Sequence, residues 1–421
     1  MTHNTTQIPE EHAIHDWNEV GHTRPVFRAN IELCDETLRD GIQSPSVIDP
    51  DINTKLELVN LMDKLGVTVA DIGLPGAGPR AVEDVTTIAK YIGDHKLNLK
   101  AMTAARTVIK DIEPIVQIQQ DSGISIAAYC FLGTSPLRLY AEGWDVDFLL
   151  RQSEKTIKYA VKEGIEFVFV TEDTIRSSPK VLKPLFKNAI ELGVRRLVLC
   201  DTVGHATPDG IKNIVDWTRE IIKESGEDVK IDWHGHNDRG LGLANALFAA
   251  EYGCDRIHGT ALGIGERVGN VSIDQLILNL KLMGAWEHDV SHLVQYTRLV
   301  SESTRVEIPV NYPLSGRDAF RTATGVHAAA VIKAAKTGDE LLADIIYSGV
   351  PAGWFGREQE IEIGHQSGLS NVRYWLEKRN IESSAALTDI IFAKAKSVNR
   401  TLREDEVWDL VKRHNSSTSP L

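Results

Sequence analysis

Between residues 31 and 262 the chain repeats one pattern: a short β-branched or apolar run, then a mixed stretch of helical length. The runs are IELCDE (31–36), VTVADIG (67–73), LNLKAMTA (97–104), ISIAAYCFLG (124–133), EFVFVTED (166–173), RRLVLCDT (195–202), VKIDWHGH (229–236) and DRIHGTAL (255–262). Largely apolar runs are what parallel strands covered on both faces require. Between them, residues 51–66 place Ile52, Leu56, Leu58, Val59, Met62 and Leu65 close to one face and stop on Gly66, a helix C-cap signal. Residues 207–226 open on Thr207 and Pro208, an N-cap and first-turn pair, and also end on glycine. Eight strands alternating with helices over 30–285 predict an α/β fold, a (β/α)8 TIM barrel. A doubly wound open sheet is the competing arrangement. Residues 1–29 carry no period and read as an N-terminal arm. Residues 286–421 lose the alternation and read as a mostly helical C-terminal subdomain, with no separate regulatory domain expected.

A barrel puts its chemistry at the C-terminal ends of its strands. Polar residues cluster there: Glu36, Arg39 and Asp40 after the first strand, Glu172 and Asp173 after the fifth, Asp201 and Thr202 after the sixth, His234 and His236 at the seventh, Glu266 and Asn270 after the eighth. Residues i and i+2 of a strand share a face, so His234 and His236 aim together. Closure makes strands eight and one neighbours, with strand seven next, and brings Asp40, His234, His236 and Asn270 to one rim. Two imidazoles, a carboxylate and an amide oxygen suit a catalytic divalent cation with open positions. An isolated HxH is usually coincidence; the Asp and Asn are what raise it to a candidate site. A two-histidine, one-carboxylate set also suits non-haem iron. GIGERVGN (263–270) lacks the acidic ribose partner of a dinucleotide loop and reads as a flexible turn.

Composition narrows the partners. A net charge of −13, with Lys and Arg spread among acids, argues against nucleic acid. The polar N-terminus and the lack of a long apolar run argue against a signal peptide or a membrane span. Cys34, Cys130, Cys200 and Cys254 show no CxxC spacing, which fits a reducing, cytoplasmic setting.

Several long motifs carry a resemblance: DETLRDGIQSP (35–45), DTVGHATP (201–208), HGHNDRGLGLANALFAA (234–250) and GTALGIGERVGN (259–270), extended by SGRDAFRTATGVHAAAVIK (315–333) and IEIGHQSG (361–368). Over roughly residues 30–375 the chain resembles the metal-dependent acyl-CoA condensing synthases: 2-isopropylmalate, homocitrate and citramalate synthases. The resemblance implies a barrel whose divalent cation (Mg, Mn or Zn) is held by Asp40, His234, His236 and Asn270. It implies Claisen-type condensation of acetyl-CoA, as co-substrate, with a small 2-oxo acid, then thioester hydrolysis, in amino-acid biosynthesis of the leucine kind. Catalytic roles fall on Arg39, which would stabilise developing negative charge, on Glu172, and on His327 with Tyr347 for deprotonating the thioester methyl. Gln43, Tyr129 and Thr202 fall at substrate-binding positions. A homodimer with exchanged C-terminal subdomains is implied, since His327 lies outside the barrel. Plainer readings are an Arg39–Asp40 ion pair, a Glu172–Arg176 rim pair, and Thr202 as a turn residue before Gly204.

Three positions depart from the pattern of 2-isopropylmalate synthases: Tyr129 and Gln366, where histidines are usual, and Ile42, at a common glutamate position. Homocitrate synthase would need a cation for the distal carboxylate of 2-oxoglutarate. None stands in the pocket segments, although Arg106 and Arg138 lie just beyond. An apolar or short acceptor is therefore expected. The absence of a cysteine in 263–270 argues against cleavage of the hydroxymethylglutaryl-CoA lyase type. A metal-dependent aldolase or lyase that needs no CoA is the alternative of another class.

Overall fold

The computed structural model describes residues 14–20 and 31–418. The N-terminal arm expected over 1–29 therefore lies largely outside the described residues. From Asp16 to Glu307 the chain forms one compact unit, and from Ile308 onward another.

The first unit is the expected barrel. Strands β1 (Glu32–Asp35), β2 (Val69–Asp71), β3 (Lys100–Arg106), β4 (Ile126–Gly133), β5 (Glu166–Glu172), β6 (Arg196–Asp201), β7 (Lys230–Gly235) and β8 (Arg256–Gly259) close in sequence order. Every neighbouring pair is parallel, and β8 closes on β1 with Leu33 beside Ile257 and Cys34 beside His258. Seven of the eight strands lie within the apolar runs, and β3 continues two residues past its run to Arg106.

The helices α1 (Ile52–Lys64), α2 (Pro79–Asp94), α3 (Ile109–Ser122), α4 (Pro136–Glu142), α5 (Val146–Lys162), α6 (Pro179–Glu191), α7 (Pro208–Ser225), α8 (Gly242–Glu251), α9 (Ile273–Leu282) and α10 (Leu293–Thr304) follow or accompany them. Local chemistry sets their ends. Asp51 caps α1 by accepting from the amides of Asn53 and Thr54 at 2.9 and 3.1 Å. Pro208 opens α7, and Gly226 ends it at φ +74°. Thr207 holds the N-cap backbone position of α7 but makes no side-chain cap bond.

Inside the barrel, Cys34, Val69, Met102, Tyr129, Val168, Val198 and Cys200 pack as one cluster. All four cysteines are buried and none forms a disulfide. Among the described residues no helix is long and apolar enough to cross a membrane.

The second unit is mostly helical: α11 (Gly325–Ala335), α12 (Glu340–Ile345), α13 (Leu369–Lys378), α14 (Ala385–Lys396) and α15 (Glu404–Thr418). A two-residue parallel ladder joins Arg321–Thr322 to Glu360–Ile361. Val372, Trp375, Leu376, Leu387, Ile391, Val407 and Val411 form its main core.

Candidate active site

The site grows from three places on the barrel rim. Asp40 sits in the turn after β1, just before the short 3-10 turn Gly41–Gln43. His234 and His236 follow the alternation of β7, which carries Asp232 and His234 inward while Trp233 packs outward. Asn270 arrives through the loop after β8, and it returns by pairing antiparallel with His236.

That loop needs its glycines. Gly269 has φ +88°, and a Cβ there would lie 1.8 Å from the carbonyl oxygen of Gly263. A Cβ on Gly265 would lie 2.3 Å from Nδ2 of Asn270. Side chains at either position would therefore prevent the closure. The glycines of GIGERVGN thus serve close backbone approach in an ordered loop, where the sequence suggested flexibility.

Asp40, His234 and His236 bring one ligand atom each to within 4.8 Å of the others. Nε2 of His234 is 3.5 Å and Nε2 of His236 is 3.7 Å from Oδ2 of Asp40. These separations are too long for good hydrogen bonds. They suit donors that share a cation, whose bonds of about 2.0–2.2 Å leave the donors roughly 3–4 Å apart. A further buried acceptor, Oδ1 of Asn270, has no hydrogen-bond partner. Leaving such atoms unmatched is costly. The amide of Asn270 is oriented: Nδ2 donates to the carbonyl of Ile264 at 3.1 Å, which leaves Oδ1 as the open acceptor. Burial, with His234 nearby, holds His236 down to about 4, so its imidazole is neutral and able to donate a lone pair. The residues present therefore fit a divalent cation.

Glu36 organises the cluster from beneath. Nδ1 of His234 donates to its Oε2 at 2.6 Å, which frees Nε2 of His234 for the cluster. Its Oε1 accepts from Nδ1 of His258 at 3.0 Å and from Arg39 Nη2 at 3.1 Å. Burial would raise the Glu36 carboxyl, but His234, His258 and Arg39 outweigh it and hold it well below the usual carboxylate range. Arg39 is held by three carboxylates: Asp71 at 2.6 Å, Glu36 at 3.1 Å and Asp40 at 3.4 Å. It does more than pair with Asp40, and its planar group is locked at the edge of the site.

A cavity of about 300 Å³ opens over the cluster, and Arg39, Asp40, Gln43, Tyr129, Glu172, Thr202, His234 and His236 all line it. Apolar side chains on or following β2 through β6, Leu74, Ala104, Phe131, Val170 and Val198, make up much of the rest of its lining. A second cavity of about 420 Å³ shares Arg39, Gln43 and Leu74 and reaches the N-terminus of α2.

The other expected residues sort as follows. Burial raises the Glu172 carboxyl, and Arg176, its alternative partner, bonds Asp173 instead, at 2.6 Å. Thr202 Oγ1 accepts from the Asp173 amide at 2.8 Å. Tyr129 offers the cavity its ring, because its hydroxyl bonds Asp232 at 3.1 Å and also accepts from Arg256. His327 and Tyr347 belong to the second unit, where their rings meet at a tilt of 32° with centroids 4.5 Å apart and both are exposed.

The sequence reading missed His258 and Asp232. Both sit two residues from polar neighbours in otherwise apolar strands, Asp232 before His234 and His258 after Arg256. That alternation places them on the inward face and was the available signal.

Comparison with known proteins follows the same lines. The HMGL-like family model matches residues 30–306. A probable 2-isopropylmalate synthase of Methanopyrus kandleri is 31% identical over 371 residues, 87% of this chain and 70% of its own. A homocitrate synthase of Saccharolobus islandicus is 33% identical over 376 residues, 89% of this chain and 77% of its own. An HMG-CoA lyase from Acinetobacter baumannii, solved with coenzyme A and 3-methylmalate, shares the fold with a TM-score of 0.55 at 20% identity, over 66% of this chain and 94% of its own. With the family model covering the whole barrel and its rim motifs, the chain belongs to the HMGL-like family.

Proposed function

We propose that this protein condenses acetyl-CoA with a 2-oxo acid bearing an apolar side chain and hydrolyses the resulting thioester, as a 2-isopropylmalate synthase does. One observation carries the reading: a donor cluster with an adjacent locked arginine faces a cavity lined on the β2–β6 side largely by apolar side chains. The names of the relatives support the reaction class.

Asp40, His234, His236 and Asn270 would hold the divalent cation, Mg, Mn or Zn. Such an ion supplies Lewis acidity at the acceptor's ketone. Arg39 stands where negative charge develops on that oxygen, already oriented by three carboxylates. Thr202, its oxygen accepting from Asp173, has its hydroxyl hydrogen free to donate to the acceptor's carboxylate. Glu172, at the rim with its carboxyl raised by burial, is placed to exchange a proton with a bound substrate. The second cavity gives room for the carrier arm of acetyl-CoA. His327, with the Tyr347 ring tilted against it, is the proposed base for the thioester methyl, supplied by a second copy in a homodimer.

The wall favours an apolar acceptor over 2-oxoglutarate. Arg106 grips Asp111 through two nitrogens at 2.8 Å each. Arg138 pairs with Glu142 at 3.1 Å and lies over Trp144. Neither lines the cavity.

The test is release of free CoA thiol from acetyl-CoA with 2-oxoisovalerate, pyruvate, 2-oxoglutarate, oxaloacetate and longer aliphatic 2-oxo acids. Activity with an apolar acceptor, lost on chelation and restored by a divalent ion, is expected. Preference for 2-oxoglutarate would replace this reading with a homocitrate synthase-like one. Silence across the panel in protein that binds metal would favour a CoA-independent aldolase or lyase.

A further inference from the structure

The barrel interior holds a line of opposite charges from one mouth toward the other. At the N-terminal end Glu32 takes Arg256 at 2.5 Å and Arg196 at 3.1 Å. Arg196 reaches Asp232 at 2.5 Å. Asp232 accepts from Nε2 of His258 at 3.1 Å, and His258 gives its other nitrogen to Glu36 at 3.0 Å. Glu36 then takes His234 at 2.6 Å. Asp232 is fully buried and His258 is 1% exposed.

Stability alone does not call for this arrangement. Barrel interiors are ordinarily filled by layers of branched apolar side chains. Replacing buried ion pairs with such residues is often neutral or stabilising. What the line of charges adds is direction. With a carboxylate on each nitrogen, His258 has one ring orientation that satisfies both. It holds Oε1 of Glu36, and so aims Oε2 at Nδ1 of His234. Without it, Glu36 keeps Arg39 but loses one of the two donors that fix Oε1.

Cys34, Glu36 and His258 also bring donor atoms within 4.8 Å of one another. Both imidazole nitrogens are already committed to carboxylates, and burial pushes the Cys34 thiol up, so this second group does not compete for the cation.

We infer that His258, anchored by Asp232, is a positioning residue that sets the cation affinity of the Asp40–His234–His236 cluster through Glu36. The inference rests on the metal reading of that cluster. Orienting partners of metal-bound histidines typically change metal affinity about 10–100-fold when removed.

The experiment is Mn²⁺ titration of the metal-stripped full-length protein, followed by electron paramagnetic resonance. His258→Gln fills similar space but cannot face both carboxylates. It is expected to weaken Mn²⁺ binding about 10-fold or more. Saturating Mn²⁺ should return kcat toward the wild-type value with KM for the acceptor little changed. Val168→Ala, a cavity in the same interior cluster away from the lining of the site, should lower the melting temperature and leave Mn²⁺ affinity within about threefold. Asp232→Asn is the second variant should His258→Gln fail to fold, with the same expected weakening. A folded variant of either residue that binds Mn²⁺ like the wild type overturns the inference. Wild-type protein that binds no Mn²⁺ or Zn²⁺ overturns the metal reading itself, and this inference with it.

Discussion

Tyr296 on α10 donates its hydroxyl hydrogen to Oδ2 of Asp35 at the end of β1, at 2.5 Å, across 261 residues of sequence. Both are fully buried, and the Asp35 carboxyl also accepts from the Thr37 amide at 2.8 Å. The bond ties α10 to the strand that leads into Arg39 and Asp40.

Burial pushes Asp35 up to about 6, against hydrogen bonds from Thr37 and Tyr296 that favour its charge. Between the unfolded value near 3.9 and about 6, the folded state binds more protons than the unfolded one. Stability from this group therefore grows as pH falls through 6 and fades as pH rises above it. Melting temperatures of wild type and Asp35→Asn, compared by calorimetry from pH 7 to pH 4.5, should show the wild type gaining on the variant. Parallel curves would refute the assignment. Tyr296→Phe should cost about 1–2 kcal/mol at pH 7.

Gly269→Ala tests the loop that delivers Asn270. The added methyl would meet the Gly263 carbonyl, so the loop must open and the amide oxygen must leave the cluster. Metal affinity, read by chelator competition, should fall at least about tenfold, while circular dichroism of the barrel stays the same. Unchanged affinity would remove Asn270 from the proposed ligand set.

Arg39→Lys keeps the charge and loses the fork. A lysine cannot reach Asp71, Glu36 and Asp40 together from one fixed plane. Turnover should fall about 10²-fold, with KM for the acceptor little changed, because the lost contact matters most as charge develops. A rise in KM alone would recast Arg39 as a substrate clamp.

Ala104→Leu narrows the cavity at the position paired with Tyr129. Steady-state kinetics should show kcat/KM for a branched acceptor dropping roughly 10–200-fold, with pyruvate much less affected. An equal loss for both acceptors would mean that the wall does not contact the side chain.

Much of this was legible before the structure. The eight runs were short, largely apolar and evenly interrupted, so strand number and order followed from covering both faces of a parallel sheet. The rim residues followed from where those runs ended, which put Asp40, His234, His236 and Asn270 together once the barrel closed. The interior charges were harder. His258 and Asp232 sit inside strands whose overall character is apolar, and their partners Glu36 and Arg196 are distant in sequence. Only the register of neighbouring strands makes them pairs. Tyr129 shows the same limit: its position in β4 was readable, but not that its hydroxyl turns away from the cavity to Asp232 and Arg256.

The closed strand order also divides labour around the ring. The proposed ligands come from the segments after β1 and β8 and from the end of β7, while Leu74, Ala104, Phe131, Val170 and Val198 follow or lie on β2 through β6. On the proposed function, the first arc carries the cation ligands and the second carries most of the wall that meets the acceptor's side chain. A change of acceptor can therefore be written into one side of the ring without rewriting the other. A scaffold arranged this way can keep one chemistry while its choice of acceptor drifts.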